Sequence, residues 1–163
     1  ECTGKTALTA SLAQYFDCPS SPEGARLYVE QHNRPLTVDD VNPIASLQAE
    51  LEEVAIRKAR GLVIHDTDLV STLVYAHHYY GTSPAWITRT ASERAADLYL
   101  LCDIDLPWVS DGLQRDSGLA EQRRQIHEKF VEAMTRSGLR WTLIRGLGEK
   151  RLEQAVRAIK ALA

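Results

Sequence analysis

The first residues of the chain carry a pattern that can bind phosphate groups. Gly4, Lys5 and Thr6 match the second half of the phosphate-binding loop G-x-x-x-x-G-K-[ST], which runs from a strand into a helix. The glycine lets the backbone approach a triphosphate, the lysine carries a positive charge to its β and γ groups, and the threonine hydroxyl is a magnesium ligand. We therefore predict that Thr3, Gly4, Lys5 and Thr6 bind ATP, with Lys5 also catalytic.

The first half of this loop pattern lies outside the sequence. Its first glycine would stand two positions before Glu1, and the strand that should lead into the loop would precede it too. The chain does not begin with methionine, so we expect a missing N-terminal portion rather than a degenerate loop. The alternative is an ordinary helix that starts at a glycine and leaves Lys5 in solvent.

Two carboxylates follow a short apolar segment in the middle of the chain. The stretch GLVIHD, 61–66, has the pattern of a buried parallel strand that ends at Asp66. Ligands of parallel sheets bind at that end of the strands, so Asp66 is predicted to hold Mg²⁺ opposite Thr6. Asp68 could accept a proton from an attacking hydroxyl. Alternatively, Asp68 only caps the helix that follows it.

A polar, arginine-rich segment, 105–124, is predicted to behave as a lid over the nucleotide. Guanidinium groups can stabilise the charge that spreads over the transferred phosphoryl group. Arg115 is the candidate catalytic arginine, because it lies in the less regular part of the segment. For Arg123 and Arg124 the alternative is ion pairing with glutamates on one exposed helix face.

Two further loops have residues suited to ligand contact. Trp108 stands near Asp105 and Asp111, and an aromatic face with carboxylates suits a planar, cationic or hydroxylated ligand. The alternative is that Trp108 only covers the edge of the sheet. The loop RGLGEKR, 145–151, is predicted to contact the adenine by backbone groups, with Arg151 on the nucleotide side.

The order of predicted elements indicates an α/β fold. The pattern predicts a loop over 17–24 and leaves 25–32 open between a short helix and a strand. The alternation favours a P-loop NTPase/kinase fold in a single domain, 1–163, with a mostly parallel sheet covered by helices on both faces. The predicted strands are 61–66, 98–103 and 140–146, and the predicted helices are 4–16, 38–59, 69–80, 84–96, 119–136 and 149–162.

Composition narrows the function classes. The chain has 163 residues, of which 44% are hydrophobic and 25% are charged, with a formal net charge of -3. This balance argues against a nucleic-acid partner, and no apolar run is long enough for a membrane span. Cys2, Cys18 and Cys102 are scattered, which disfavours disulfides or a zinc site and suggests a cytoplasmic protein. The expected partner is a nucleoside-like small molecule, and a homo-oligomer is left open.

Four segments, in order, resemble the ribosylnicotinamide kinase domain of the NadR type: ECTGKT, ARLYVE, VIHDTDLVSTLVY and RAADLYLLCDIDLPWVSDGLQRD. The most specific pieces are HDTD with the following Thr72, and D-x-P-W-x-x-D-G. The resemblance covers nearly the whole chain. It implies transfer of the ATP γ-phosphate to the ribose 5′-hydroxyl of nicotinamide riboside, giving nicotinamide mononucleotide.

The resemblance also implies roles for individual residues. Lys5 and Thr6 would hold ATP and Mg²⁺, while Asp66 and Asp68 would serve the metal and the hydroxyl. The chain departs from the family at DGLQRD, where an arginine is expected at or next to Gln114. It also has no HxGH-type nucleotidyltransferase signature. The substrate-side residues implied are Arg26, Tyr28, Glu30, Asp68, Trp108 and Asp111.

Two other functions fit the same motifs. One is a kinase for another nucleoside or a small alcohol. The other is a regulatory ATP-binding module with slow ATPase activity, whose bound γ-phosphate switches a partner interaction. A second aspartate at position 68 and an aromatic at Trp108 argue against a pure switch, which needs neither. Fold alone does not decide among these functions.

Overall fold

The computed structural model describes residues 3–107 and 120–162. The predicted alternation of helices and parallel strands is confirmed. The strands are β1 (Ser20–Ser21), β2 (Ile64–His65), β3 (Tyr99–Cys102) and β4 (Trp141–Ile144). The α-helices are α1 (Lys5–Phe16), α2 (Gly24–His32), α3 (Val41–Lys58), α4 (Leu69–Tyr80), α5 (Ala85–Glu93), α6 (Ala120–Arg136) and α7 (Glu149–Lys160).

The start of α3 follows local rules that the sequence displays. A 3₁₀ turn, Val38–Asp40, precedes it, and the Thr37 backbone N–H donates to the Asp40 carboxylate at 2.8 Å. Pro43 then lies in the first turn of α3, where its missing N–H costs no helix hydrogen bond. The predicted helix therefore exists, with a 3₁₀ segment at its N-terminal end.

The prediction of a loop over 17–24 was wrong at its centre. Ser20 and Ser21 form β1, which pairs in parallel with Ile64 and His65 of β2. Serine, proline and glycine indicate turns, so local composition gave no strand signal. The strand exists because its backbone completes hydrogen bonds to β2, with Ile64 and Asp66 donating to Pro19 and Ser21 carbonyls at 3.1 and 3.0 Å. The ambiguous stretch 25–32 is helical, within α2.

The strands form two parallel pairs. β1 pairs with β2, and β3 pairs with β4 over the full length of both strands. The carboxyl ends of β2 and β3 both reach the N-terminus of α1. Asp66, just after β2, contacts Thr6, while Arg151 connects the carbonyls of Thr3 and of Asp103, just after β3. The two pairs therefore present one common carboxyl edge to the start of α1.

Helices cover the two faces of β3. Leu100 and Cys102 pack into a core with α1 and α7. Side chains alternate along a strand, so Tyr99 and Leu101 point to the opposite face, where the Tyr99 hydroxyl reaches the start of α4. A second core joins α3, α4 and α5 around the fully buried Ile87. Within the described ranges, none of the helices has the length and apolar character required to cross a bilayer.

Candidate functional site

The start of α1 is built to bring backbone close to a ligand. Gly4 precedes the helix with a φ of 74°, in the left-handed region that favours glycine. A Cβ at this position would lie 2.9 Å from the Leu106 side chain, so no larger residue fits without movement. Lys5 and Thr6 occupy the first turn of the helix. The free N–H groups of that turn and the helix dipole favour an anion there.

The Thr6 and Asp66 side chains are in contact, and their predicted role as Mg²⁺ ligands stays a prediction. The Thr6 hydroxyl donates to Oδ2 of Asp66 at 2.7 Å, although the two residues lie 60 positions apart. Among the described residues, Oδ1 of Asp66 is buried without a hydrogen-bond partner. Burial raises the pKa of Asp66, while the Thr6 hydrogen bond and the charge of Lys5 lower it. The Asp66 carboxylate therefore lies within the influence of the Lys5 charge, and its Oδ1 is free to bind a ligand.

The pair of Thr6 and Asp66 fits the requirements of Mg²⁺. In the part of the chain that the structure describes, no three His, Cys, Asp or Glu side chains gather as a metal site. Mg²⁺ does not need such a cage, because it is bound by one or two protein oxygens together with substrate phosphates and water. The unpartnered Oδ1 of Asp66 is the observation that supports this fit.

Asp68 is held by groups from two elements. Its Oδ1 accepts from the Ser71 backbone N–H at 3.0 Å, so it caps α4, as the alternative interpretation expected. Its Oδ2 accepts from the Tyr99 hydroxyl at 2.7 Å. Asp68 and Lys5 line the same cleft. Capping therefore does not remove Asp68 from the site, and its catalytic role stays a prediction.

A buried polar network lies behind Asp68. Gln48 donates to Glu52 at 3.2 Å and to the Thr67 carbonyl at 2.8 Å. Glu52 is only 3% exposed, and Arg94 lies 3.8 Å from its carboxylate. Burial, together with the negative charge of Asp68, raises the pKa of Glu52 to about 7. The network ties the loop between β2 and α4 to α3.

Arg151 connects the loops around the start of α1. It is 4% exposed, and its guanidinium donates to the carbonyls of Thr3, Asp103 and Gly146. It also pairs with the carboxylate of Asp105. In this structure Arg151 thus braces the phosphate-binding turn from behind, and its predicted contact with the nucleotide stays a prediction.

The candidate arginines have different surroundings. Arg115 lies outside the described residues. Arg124 pairs with Glu121 at 2.7 Å and with Glu128, which is the exposed ion pairing expected as the alternative. Arg123 instead donates to the Leu106 carbonyl at 3.0 Å and lines the cleft that contains Lys5. Of these two helix arginines, only Arg123 faces the candidate site.

The predicted substrate-side residues do not all gather in one place. Arg26 lies 4.0 Å from Glu23, and both contribute to the electrostatic environment of Asp66. The Tyr28 hydroxyl donates to Asp40 at 2.9 Å, away from the phosphate-binding turn, and Glu30 is exposed on α2. Trp108 and Asp111 lie outside the described residues. The substrate roles of all five remain predictions.

An apolar cavity of about 80 Å³ lies between α3 and α4, and Thr67 and Ser71, on either side of Asp68 in the sequence, line it. Tyr75, Tyr79 and Tyr80 of α4 supply its aromatic lining, and the buried Glu23 and the half-buried Ser71 supply polar groups. Sequence reasoning assigned none of these residues to the site, and it also missed Tyr99. The spacing of Tyr75 and Tyr79, four residues apart on a helix, was the one local signal that these side chains share a face.

Comparison with known proteins identifies relatives. The family model described as an AAA domain matches residues 1–151. The trifunctional NAD biosynthesis/regulator protein NadR of Escherichia coli (strain K12) is 28% identical over 148 residues, covering 88% of this chain and 36% of that protein. The same protein of Salmonella typhimurium is 28% identical over 149 residues, covering 89% and 36%. The chain thus spans about a third of the length of these relatives.

Solved structures agree with the fold. A NadR protein in complex with NR superposes with a TM-score of 0.76 at 25% identity, covering 96% of this chain and 47% of that one. A NadR protein in complex with NAD and AMP-PNP gives a TM-score of 0.75 at 25% identity, covering 96% and 45%. These matches confirm the predicted P-loop kinase fold and the resemblance to NadR-type proteins.

Proposed function

We propose that this chain, which belongs to the AAA domain family, is an ATP-dependent kinase domain acting on nicotinamide riboside. The reaction transfers the γ-phosphoryl group of ATP to the ribose 5′-hydroxyl and yields nicotinamide mononucleotide and ADP. The contact between Thr6 and Asp66 at the N-terminus of α1 is the observation that carries this proposal. This contact brings the phosphate-binding turn next to the aspartate that follows β2, although the two residues lie 60 positions apart in the sequence.

In the nucleotide half of the site, α1 supplies the charge that a triphosphate needs. Its free N–H groups and the Gly4 turn cradle the phosphates, and Lys5 neutralises the β and γ groups. Arg151 keeps the turn in place by holding the Thr3 carbonyl. The solved relative in complex with AMP-PNP supports ATP as the donor.

Thr6 and Asp66 would hold Mg²⁺ in this half of the site. When bound, the ion neutralises charge that develops on the bridging and terminal phosphate oxygens. Thr6 holds the Asp66 carboxylate through Oδ2, and Asp66 would supply Oδ1, which has no hydrogen-bond partner among the described residues.

In the acceptor half, Asp68 orients the attacking hydroxyl. The 5′-oxygen forms a bond to the γ-phosphorus as the bond from that phosphorus to the β,γ-bridging oxygen breaks. The hydroxyl proton passes to the Asp68 carboxylate, and ADP leaves with the bridging oxygen. Tyr99 and the Ser71 N–H fix this carboxylate at the edge of the cleft, so the acceptor meets an oriented base.

The choice of nicotinamide riboside rests on the relatives and on the chemistry of the cavity. One solved relative is in complex with NR, which we take as nicotinamide riboside. The pyridinium of this nucleoside is planar and cationic, so tyrosine faces and a nearby carboxylate suit it. Tyr75, Tyr79 and Glu23 line the apolar cavity that Thr67 and Ser71 also line. The proposed setting is the cytoplasm, with neither nucleic acid nor membrane as a partner.

The test is ADP release from ATP and Mg²⁺ by the protein. Nicotinamide riboside, uridine and thymidine are compared as acceptors, with no acceptor as the reference. Strong stimulation by nicotinamide riboside alone supports the proposal. Stimulation by another nucleoside would keep the kinase and replace its substrate, and binding of ATP without stimulation by any acceptor would favour a regulatory module.

A further inference from the structure

The side chain of Gln48 lies where three segments of the chain meet. Gln48 belongs to α3, is 2% exposed and lines the apolar cavity between α3 and α4. Its Oε1 accepts from the Gly24 backbone N–H at 2.8 Å and from the Thr67 hydroxyl at 3.2 Å. Its Nε2 donates to the Thr67 carbonyl at 2.8 Å and to Glu52 at 3.2 Å. The carboxamide thus uses both of its N–H groups and both acceptor positions of its oxygen.

Two of these contacts hold the loop between β2 and α4. Thr67 stands between Asp66 and Asp68 and is itself buried. Gln48 binds both the hydroxyl and the carbonyl of Thr67, so this residue cannot shift without leaving buried polar groups unpaired. The position of Thr67 therefore limits where the two flanking aspartates can lie.

The start of α2 approaches α3 at the same point. A Cβ at Gly24 would lie 3.1 Å from Oε1 of Gln48 and 3.2 Å from its Cα, so a side chain there would press on α3. Glu23, directly before Gly24, is buried and lines the apolar cavity. Gln48 therefore connects one wall of this cavity with the loop that carries Asp66 and Asp68.

The charges around Gln48 favour a neutral side chain at this position. The charged side chains that surround it are Glu52 on α3, Arg94 after α5, Asp68 before α4 and Glu23 before α2. A carboxylate here would repel Glu52 and the Thr67 carbonyl, and an ammonium group would have no acceptor for the Gly24 N–H. A carboxamide both donates and accepts, and it carries no charge into a buried acidic environment.

We infer that Gln48 is a positioning residue for phosphoryl transfer. It fixes the loop of Asp66 and Asp68 relative to the start of α2, and it acts on the reaction through Thr67 and Gly24. The catalytic consequence rests on the proposed function, whereas the positioning itself is measurable without turnover.

The test compares the unaltered protein with Gln48→Met, which keeps an unbranched side chain but makes none of the four hydrogen bonds. The kcat with nicotinamide riboside should fall about 30-fold or more, because the proposed base is no longer held in place. The dissociation constant of ATP should stay unchanged, since Gln48 does not contact the phosphate-binding turn. Gln31→Met, an exposed substitution in α2, is the control and should keep full activity.

Amide hydrogen exchange gives a second readout. The Ser71 N–H donates to Oδ1 of Asp68 at 3.0 Å, so its exchange rate reports whether Asp68 is held. In Gln48→Met, the amides of Gly24 and Ser71 should exchange about tenfold faster or more. The amide of Asp103, which donates to β4, should keep its rate. Equal acceleration of all three amides would show a loss of global stability alone and would overturn the inference.

Gln48→Glu tests the same inference if the methionine variant does not fold. It keeps the shape and both acceptor positions, so the Gly24 amide should stay protected, but it loses the two donors. The new carboxyl would lie next to Glu52, and two carboxyls so close share a proton. Protonation returns one donor, so the loss in kcat relative to the unaltered protein should shrink as the pH falls from about 8.5 to about 6. Gln31→Glu should show no such pH dependence.

Two outcomes separate this inference from the proposed function. A folded Gln48 variant with unaltered kcat and unaltered Ser71 exchange would overturn the inference and leave the kinase in place. If nicotinamide riboside does not stimulate the unaltered protein, the proposed function fails. The exchange of Ser71 then decides by itself whether Gln48 positions Asp68.

Discussion

The Tyr99 hydroxyl donates a 2.7 Å hydrogen bond to Oδ2 of Asp68, linking strand β3 to the N-terminus of α4. The other carboxylate oxygen of Asp68 accepts from the backbone N–H of Ser71 at 3.0 Å. Burial and the negative charge of Asp68 raise the pKa of Tyr99 above its usual value, so the phenol remains a donor at neutral pH. A residue that the sequence did not single out thereby orients the proposed base.

Replacing Tyr99 by phenylalanine should lower kcat about tenfold, because a hydrogen bond to a charged group is lost while the ring keeps its packing. The dissociation constant of ATP should stay unchanged, since the phosphate-binding turn is untouched. Steady-state kinetics and ATP titration measure the two effects. Tyr15→Phe on the exposed face of α1 is the control. Equal losses in kcat and ATP affinity would mean that Tyr99 acts only through the general stability of the fold.

Lys5→Ala should abolish nucleotide turnover, because the lysine neutralises the β and γ phosphates at the start of α1. ADP release with and without acceptor is the measurement. Lys58→Ala, an exposed substitution in the last turn of α3, should retain full activity. A Lys5→Ala protein that keeps most of its turnover would contradict the assignment of this turn to phosphate binding.

Asp66→Asn should raise the Mg²⁺ concentration needed for half-maximal ADP release by about tenfold or more, because the amide keeps an oxygen but loses the charge. The activity at saturating Mg²⁺ should recover in part. The exposed Asp17→Asn provides the control, since asparagine tolerates the left-handed φ of 48° found there. An unchanged Mg²⁺ dependence would remove Asp66 from the metal site.

Asp68→Asn separates capping from catalysis. Asparagine caps helices about as well as aspartate, so the unfolding midpoint should change little. It cannot accept the hydroxyl proton, so turnover should fall about 100-fold or more while ATP still binds. The control is Asp39→Asn, an exposed substitution in the 3₁₀ turn before α3. If turnover is unchanged by the Asp68 substitution, Asp68 only caps α4 and has no catalytic role.

Glu52 should make the protein less stable as the pH rises. Below about pH 4.5, the Glu52 carboxyl is protonated in both the folded and the unfolded protein. Between about pH 4.5 and its folded pKa of about 7, it is ionised in the unfolded protein but still protonated in the folded one. The free energy of unfolding should therefore fall over this range by up to about 3 kcal/mol and then level off. Glu52→Gln should flatten this dependence in urea titrations at several pH values, whereas the exposed Glu50→Gln should not. An unaltered slope in Glu52→Gln would assign the loss to other groups.

The sequence by itself determined the elements whose signals are local. The helix predicted from Gly4 onward exists as α1, and a strand exists before Asp66, although it is limited to the half-buried Ile64 and His65. Local signals did not predict β1, because its two serines are typical of a turn. These residues form a strand because β2 supplies hydrogen-bond partners. Local signals also predicted helix α3, in whose first turn Pro43 lies.

Only the tertiary structure decided which side chains meet. The sequence does not indicate that Thr6 contacts Asp66 or that Tyr99 contacts Asp68. These residues are far apart along the chain, and only the packing of strands and helices brings them together. The role of Arg151 as a brace, and the raised pKa of Glu52, depend on burial created by residues far away in the chain. Residue types set what chemistry the chain can perform, while packing of the helices against the strand pairs sets which of those residues share a site.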